Sequence, residues 1–577
     1  MSRLTIEQKT VNALFRDTKL GFLIPDYQRP YAWEIDECQT LWEDFFTFAF
    51  PGGDCNRFDS TNDEYFLGPI VTFKNSSGKL EVIDGQQRLI TLTLLLRAFY
   101  EFGQKQQDKN SRTTRENIAK CIWMTDEFDN PDQDSFKIDS EVATEKDTDE
   151  FLSILRDGSE GTAYKEQESN YAINYKFFRE QIENFLEEYS AYFALFPTRI
   201  LNNCVLLPIE ANSQDSAFRI FMTLNDRGLP LSDTDIFKAQ FYKFYVNRDK
   251  KNEFIKRWKD LDELCEKTFS WGMESLFTEY MYYERALQGE TSTTTEGLRL
   301  FYEKDHYRLL KKEETFENLV LLANFWSDVF SQNEDRFSNR ILQRFFVLNY
   351  APNGMWTYLV SVYFMHHKDT SGNLDDDTFY AFLNKITAFI WAYAIVNPGV
   401  NALRTPIYPE MCNIVKGVPV TFGNHKFDVE ALKSLLQTYE FNNRRPITKS
   451  MLAWWAFQNE DQELLSIYDL FDIEHIYARN RLEFERTLQN PKSLTLLGNK
   501  SLLEKKINIR ASDYKFADKK RYYLGTPDSR KKGTNIQELQ VLAERESDFT
   551  EESILARNQQ ILDEFIEYLK SNELAQS

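Results

Sequence analysis

Cysteine, histidine, glycine and proline are all scarce in this sequence. The chain of 577 residues contains 6 Cys, 5 His, 21 Gly and 16 Pro, against 47 Phe and 29 Tyr. Few helix breakers and many aromatic residues favour long helices with aromatic interfaces. The six cysteines form no C-x-x-C pair. Their scatter excludes the common cysteine-based zinc sites and indicates reduced thiols in a cytosolic protein.

Long apolar stretches are also missing. No uninterrupted run approaches the roughly 18–20 apolar residues that a membrane span needs, and the first residues lack the apolar core of a signal peptide. We therefore expect a cytoplasmic protein without a membrane partner. The net charge of −21 argues against a surface coated with nucleic acid, although it leaves room for a local basic patch.

The length predicts several domains, because one hydrophobic core does not grow to this size. Strand-like and helix-like runs alternate in residues 1–245, which include an acidic insertion at about 104–165, predicted to be partly loop-like. Residues 246–444 have helical, aromatic-rich periodicity. Residues 445–577 differ again, because 490–535 hold 12 Lys/Arg against 4 Asp/Glu. We predict an α+β protein with these three domains.

A strand-to-helix junction in the sequence VIDGQQRLITL carries more polar groups than packing requires. The residues are Asp84, Gly85, Gln86, Gln87 and Arg88. A glycine lets the backbone approach a ligand, a helix start offers N–H groups, and an arginine makes forked bonds to phosphate oxygens. Asp84 could hold a metal ion or orient a water molecule. The junction therefore predicts a nucleotide site, although a turn with a surface salt bridge would have the same sequence.

Two further clusters have the same chemistry, in the sequences IPDYQRPYAW and FMTLNDRGLPLS. The strand LGPIV, residues 67–71, leads towards the DGQQR segment. Asparagine and glutamine side chains suit a nucleobase or a sugar, and each cluster alone is also explained by an ordinary turn. The candidate nucleotide-binding residues in these clusters are Tyr27, Gln28, Arg29, Asn225, Arg227 and Gly228.

A different constellation lies in the C-terminal region, around the sequence YDLFDIEHIYARN. A carboxylate–histidine pair followed by two asparagines is what a one-metal ββα nuclease site requires. On that scheme His475 is the general base, Asn499 braces the loop, and Glu474 and Asn508 are metal ligands, with Asp472 as a second candidate. Oxygen donors favour Mg²⁺ or Mn²⁺. The alternative for His475 is a surface histidine paired with Glu474.

Basic side chains surround the second asparagine of this constellation. They would bind the phosphates of double-stranded DNA. The predicted DNA-binding residues are Lys505, Lys506, Arg510, Lys515, Lys519 and Lys520.

Together these motifs resemble one family. IPDYQRPYAW, LEVIDGQQRLITL and IFMTLNDRGLPLS are similar to the N-terminal domain of the GmrSD-type restriction endonucleases, and the EHI, LGN and second Asn segments are similar to their HNH-type C-terminal domain. One departure is HIYARN, where the family usually has a proline soon after the histidine.

The resemblance implies a ParB/sulfiredoxin-like domain that binds and hydrolyses a nucleoside triphosphate, with Asp84 and Arg88 in its hydrolytic centre. It also implies an HNH nuclease that cleaves modified or foreign double-stranded DNA as type IV restriction, in defence against phage. A homo-oligomer or partner proteins of a defence system are compatible with this function.

Two other functions stay open at the level of sequence. The chain could be a nucleotide-switched DNA-binding or sensor protein whose nuclease domain is degenerate. It could also be an RNase or toxin subunit, because nothing in the sequence distinguishes RNA from DNA.

Overall fold

The chain forms two compact units, residues 1–255 and 256–577, in a computed structural model. The predicted C-terminal domain and the predicted middle domain from residue 256 onwards fall within the second unit, and the boundaries proposed at 245 and 444 stay predictions. The structure describes residues 7–25, 28, 30–53, 58–141, 145–162, 169–213, 216–217, 220, 232–269, 272–399, 401–525 and 532–576.

A mixed six-stranded sheet organises the first unit. Its strand order is β1-β8-β3-β4-β2-β7; β3 pairs antiparallel with β4 and parallel with β8, and β2 runs parallel to both β4 and β7. A separate antiparallel pair, β5 and β6, lies outside it. The strands are β1 (Lys9–Thr10), β2 (Phe22–Ile24), β3 (Tyr65–Lys74), β4 (Leu80–Asp84), β5 (Trp123–Thr125), β6 (Pro131–Phe136), β7 (Ile138–Ser140) and β8 (Cys204–Ala211).

Helices of the first unit cover this sheet. The most buried is α3, an 18-residue helix that continues directly from β4 and is apolar on nearly every face, as a central core helix must be. The helices are α1 (Val11–Asp17), α2 (Ile35–Ala49), α3 (Gln86–Gly103), α4 (Lys109–Ile122), α5 (Glu145–Asp157), α6 (Asn170–Tyr189), α7 (Leu195–Asn203) and α8 (Asp233–Val246). Ser232 caps the start of α8, because its Oγ accepts a hydrogen bond from Asp235 N.

The acidic insertion is more regular than the sequence suggested. Its negative charge predicted partly loop-like structure, yet it contains β6, β7 and α5. Ile138 and Ser140 are buried because β7 forms the edge of the main sheet beside β2. The acidic residues alternate with apolar ones that pack inwards, such as Phe151 and Leu155. This packing, which net charge does not reveal, orders the segment.

The second unit is helical in the region that the sequence predicts to be helical, which ends at about residue 444. α9 (Lys251–Thr268) contains the boundary between the units, and two strands, β9 (Phe471–His475) and β10 (Lys500–Glu504), lie near the C-terminus. The remaining helices are α10 (Met273–Leu287), α11 (Leu298–Tyr307), α12 (Glu313–Phe330), α13 (Asn339–Leu348), α14 (Met355–His367), α15 (Asp376–Val396), α16 (Arg404–Val415), α17 (Val429–Thr438), α18 (Pro446–Ala456), α19 (Arg479–Phe484), α20 (Lys505–Ala511), α21 (Phe516–Leu524), α22 (Gln537–Arg545) and α23 (Glu551–Ser571).

Among the helices that the structure describes, one, α15, is long and apolar enough to cross a membrane by length and composition. Two thirds of its apolar window is buried inside the protein, as in the core helix of a soluble protein. Trp391 is fully buried on it. Trp454 and Trp455, on α18, are also buried in the core.

Candidate functional site

The DGQQR segment forms the turn between β4 and α3. Gly85 has a left-handed φ of 92°, and a Cβ there would lie 2.9 Å from Ile70 Cγ1 and 3.4 Å from the carbonyl oxygen of Pro69. Only glycine fits, on both conformational and steric grounds. The first intrahelical bond runs from Leu89 N to Gly85 O. The N–H groups of residues 86–88 thus stand at the helix start, where an anion is favoured.

Arg88 uses its guanidinium on the protein itself. Nη1 donates to the carbonyl oxygens of Leu67 (3.2 Å) and Pro69 (2.8 Å), and Nη2 lies 3.5 Å from Asp84 Oδ2. Gly68 is required between these carbonyls, since its φ is 111° and a Cβ would overlap Arg88 Nη1. The LGPIV strand and the DGQQR turn are therefore brought together, as the sequence predicted, with Arg88 holding the strand.

Two of the glutamines in the motif regions, Gln28 and Gln87, also bind backbone. Gln87 Oε1 accepts from Ala32 N (2.9 Å) and Trp33 N (3.3 Å), and its Nε2 donates to Pro30 O (3.1 Å). Gln28 Nε2 donates to Ile83 O at 3.2 Å. Both side chains are buried. Gln87 thus fixes residues 30–33 against the start of α3, and Gln28 bonds the end of β4.

The remaining members of the predicted nucleotide site divide into two groups. Asp84 is partly exposed, with 19% of its side chain accessible, and Gln86 is buried at the first turn of α3. The other predicted ligands lie outside the described residues: Tyr27, Arg29, Asn225, Arg227 and Gly228.

The C-terminal candidate site is a strand–strand–helix arrangement. β9 pairs antiparallel with β10, and α20 follows β10 at once and packs against both strands. His475 is the last residue of β9, opposite Lys500. This order of elements is the one expected for a ββα nuclease centre.

Asn499 is fully buried behind His475. Its Oδ1 accepts from Tyr477 N at 2.7 Å, and its Nδ2 donates to Tyr477 O at 3.2 Å and Leu494 O at 3.1 Å. Its own carbonyl accepts from Ile476 N at 2.9 Å. Asn499 therefore contacts the loop directly after His475, and its role as a brace for catalysis stays a prediction.

His475 lies in a positively charged, half-buried environment. Burial, together with the charges of Arg479, Lys500 and Lys519, lowers its pKa to about 3. Burial also lowers the pKa of Lys500 to about 8, and its Nζ donates to Phe441 O. The imidazole is neutral at pH 7 and can accept a proton.

Glu474 is not placed as the metal ligand that the sequence predicts. Neighbouring residues on a strand point to opposite faces, so Glu474 leaves the His475 face. It is 2% exposed, and its Oε1 lies 2.8 Å from Lys519 Nζ and 2.5 Å from the Tyr523 hydroxyl, which donates to it. Burial raises the pKa of Glu474. A carboxylate committed to a buried ammonium and a phenol is poorly placed to bind a cation.

The other predicted ligands do not complete a metal site. Asp472 lies two residues before Glu474, so its side chain leaves β9 on the same face as that of Glu474. Asn508 is half-exposed on α20. Among the residues that the structure describes, no three His, Cys, Asp or Glu side chains form a group that could hold a metal ion. The complete predicted donor set therefore does not form a cation site, because Glu474 is committed to Lys519 and Tyr523.

The predicted DNA-binding residues have different environments. Lys505 and Lys506 are exposed at the start of α20, and Arg510 is half-exposed near its end. Lys515 pairs with Glu485, and Lys520 Nζ donates to Glu546 O at 2.8 Å.

The prediction that Lys519 contacts DNA is wrong. Its side chain is 1% exposed and faces the protein interior. The spacing of Phe516, Lys519 and Tyr523 places all three on one helix face, which is the inward face of α21. This pattern was present in the sequence, but the positive charge of the surrounding segment obscured it.

Comparison with known proteins matches both ends of the chain. The model of the GmrSD restriction endonuclease N-terminal domain matches residues 11–242, and that of the GmrSD restriction endonuclease C-terminal domain matches residues 427–564. No curated protein shows significant similarity to the chain. The two matches together cover more than half of the sequence and include the β4–α3 turn, His475 and Asn499. The chain therefore belongs to the GmrSD restriction endonuclease family, and it is a nuclease whose substrate is DNA.

Proposed function

We propose that this protein is an NTP-regulated, modification-dependent DNA endonuclease of the type IV restriction class, which acts against phage or other foreign DNA in the cytoplasm. The observation that carries the proposal is the placement of His475, a neutral imidazole at the end of β9 with its following loop braced by Asn499.

His475 is the proposed general base. Its neutral imidazole can take a proton from a water molecule as that water attacks phosphorus. Burial, followed by the charges of Arg479, Lys500 and Lys519, lowers the pKa of His475 in the free protein. A bound phosphodiester brings negative charge that offsets the part of this shift that the cations cause. We therefore expect DNA binding to raise the pKa of His475, which makes it a stronger base when substrate is present.

The proposed nucleotide site is the β4–α3 turn. Backbone N–H groups at the start of α3 favour the phosphates, because the helix dipole and the bare backbone at Gly85 both suit an anion. Asp84 is the partly exposed carboxylate at this turn, placed to orient a water molecule or a phosphate-bound cation. Arg88 supports the site by holding β3 in place.

The proposed proton transfer to His475 does not involve a bound metal ion. A requirement for Mg²⁺ or Mn²⁺ stays a proposal, because one of the predicted ligands, Glu474, is held in a buried ion pair. Chelation tests it: cleavage that stops in EDTA and returns with Mg²⁺, but not with Ca²⁺ or Na⁺ at equal ionic strength, establishes the requirement.

The test of regulation and substrate is a digestion panel. Phage DNAs with and without base or backbone modification, and an RNA of equal length, are incubated with each NTP and Mg²⁺. We expect cutting of modified DNA that depends on one or more NTPs. Equal cutting of every DNA without nucleotide would contradict both the regulation and the modification dependence. Cutting of RNA alone would support the RNase alternative.

A second function is favoured by one observation. Glu474, a predicted metal ligand, sits in a buried ion pair instead, as would suit a nucleotide-switched DNA-binding or sensor protein with a degenerate nuclease domain. Phosphate release without cutting of any DNA in the panel would support that function over the endonuclease.

A further inference from the structure

Lys519 makes two bonds to two consecutive residues of β9. Its Nζ lies 2.8 Å from Glu474 Oε1 and donates to the carbonyl oxygen of His475 at 2.6 Å. Tyr523, one turn further along α21, donates its hydroxyl to the same carboxylate at 2.5 Å. The three side chains are all nearly inaccessible to solvent.

Burying this ion pair costs free energy, which indicates that it serves a purpose beyond packing. Burying a carboxylate and an ammonium costs several kcal/mol for each ion, and their attraction recovers that cost only with good geometry and further hydrogen bonds. Apolar residues of similar volume often stabilise a core equally well. A simple ion pair between Lys519 and Glu474 would not need the further bond from Lys519 to the carbonyl oxygen of His475.

The bond to His475 O acts on the candidate base through its backbone. His475 ends β9, and the chain then enters the loop that Asn499 braces through Ile476 and Tyr477. With Lys519 on the carbonyl and Asn499 on the next two residues, the peptide groups after His475 are fixed. A fixed backbone limits the directions in which the imidazole can point.

We propose that Lys519 is a positioning residue for His475, with Glu474 and Tyr523 as the buried partners that hold its ammonium in place. The inference rests on the proposed role of His475 and deepens it. It also gives Glu474 a different task from the one that the sequence suggested: it neutralises Lys519 and does not bind a cation.

The test compares four variants of the full-length chain. Lys519→Met alone leaves Glu474 buried without its partner and is expected to lower the thermal midpoint. The double variant Glu474→Gln with Lys519→Met removes both charges and is expected to recover much of that midpoint. Lys519→Arg keeps the charge, and Arg521→Met, at an exposed position of the same helix, is the matched control.

Cleavage kinetics separate positioning from stability. We expect the folded double variant to lose about 10²-fold in kcat with KM for DNA within about twofold, because misplacement of a catalytic group by about 1 Å has an effect of this size. Lys519→Arg is expected to retain more activity than the double variant. A double variant that is folded and cuts at the wild-type rate would overturn the proposal.

An NMR measurement does not depend on nuclease activity, so it tests the positioning role of Lys519 separately from the proposed function. The chain has only five histidines, so ring signals of ¹³C-labelled histidine are few, and His475→Ala assigns one of them. We expect the double variant to shift the His475 ring signal and leave those of His306, His366, His367 and His425 unchanged. An unshifted His475 signal would overturn the positioning role. An inactive wild-type protein with a shifted signal would contradict only the nuclease function.

A metal titration tests the new role of Glu474. If the carboxylate only neutralises Lys519, the Mg²⁺ concentration at half-maximal cleavage is the same in the double variant and in the wild type. A tenfold or larger increase would show that Glu474 binds the metal and would overturn this part of the proposal.

Discussion

The carboxamide of Asn499 bonds both backbone groups of Tyr477: Oδ1 accepts from its N–H at 2.7 Å, and Nδ2 donates to its carbonyl at 3.2 Å. This pair of bonds holds the second residue after His475 in one orientation. An aspartate in place of Asn499 would keep the acceptor but lose the donor.

The first prediction follows from the two hydrogen bonds between Asn499 and Tyr477. Asn499→Ala leaves the buried N–H of Tyr477 without its acceptor, so we expect a loss of about 1–3 kcal/mol in the free energy of unfolding and a fall in kcat of about 10²-fold. Urea unfolding and cleavage assays measure the two effects. Asn535→Ala, at an exposed position of the same unit, is the control. Wild-type kcat in Asn499→Ala would refute the bracing role.

The second prediction separates two residues of the DGQQR turn. Asp84→Ala removes a partly exposed carboxylate, so we expect NTP hydrolysis to be lost while the thermal midpoint stays close to that of the wild type. Arg88→Ala leaves the carbonyls of Leu67 and Pro69 without their donor, so we expect it to lower the midpoint as well. Phosphate release and calorimetry measure both. Full turnover in Asp84→Ala would exclude this carboxylate from the mechanism.

The third prediction concerns the basic surface at α20. Reversal of charge at Lys505, Lys506 and Arg510 is expected to weaken binding to all DNA sequences alike. Each lost phosphate contact lowers the log–log salt slope by about 0.9. Binding is measured by fluorescence anisotropy between low and physiological salt. Lys311→Glu, Lys312→Glu and Lys416→Glu together make the same charge change at exposed positions elsewhere, and they are expected to have a smaller effect. A loss confined to modified DNA would mean that this surface recognises the modification.

The fourth prediction is a pH dependence of stability in the helical part of the second unit. Glu279 is buried on α10, where its carboxyl oxygens accept from Thr357 Oγ1 and Ser361 Oγ. Burial raises its pKa to about 8. The neutral form is favoured in the fold, so its contribution to stability is complete below the pKa of the unfolded chain, near 4.3, and is lost as the pH rises to about 8.

Glu279→Gln removes this ionisation while keeping an amide that can bond both hydroxyls. We expect the variant to be more stable than the wild type at pH 8 and to lose most of that advantage near pH 5, by about 1.4 kcal/mol for each pH unit between the two pKa values. Glu274→Gln, at an exposed position of the same helix, controls for the change in charge. An advantage independent of pH would contradict the assignment.

Much of the fold was predictable because its patterns are local. The strands around residues 22–24, 65–74 and 204–211, the helix start at Ser232 and the helical middle follow from periodicity and capping. The order of the six-stranded sheet was not predictable, since β7 comes from an acidic segment that looked loop-like, and strand pairing over such distances leaves no local pattern.

In the candidate sites, too, some features were predictable from the sequence and others were not. Sequence motifs identified His475, Asn499 and the DGQQR turn, because each motif is short and contiguous. They did not show which polar groups face the protein. Lys519 in a basic segment and Gln87 in a nucleotide-like motif both bond the protein interior. Only the packing of α21 on β9 and of residues 30–33 on α3 determines those directions.

The proposed role of His475 as the base of a DNA-cleaving centre is tested by the nicking rate of His475→Ala against that of His366→Ala. Both are measured on a DNA that the wild type cuts, with NTP hydrolysis followed in the same samples. We predict that His475→Ala loses cleavage by at least about 10²-fold, that added Mg²⁺ does not restore it, and that NTP hydrolysis is retained. His366→Ala is expected to cut normally. Wild-type cleavage by His475→Ala would contradict the account.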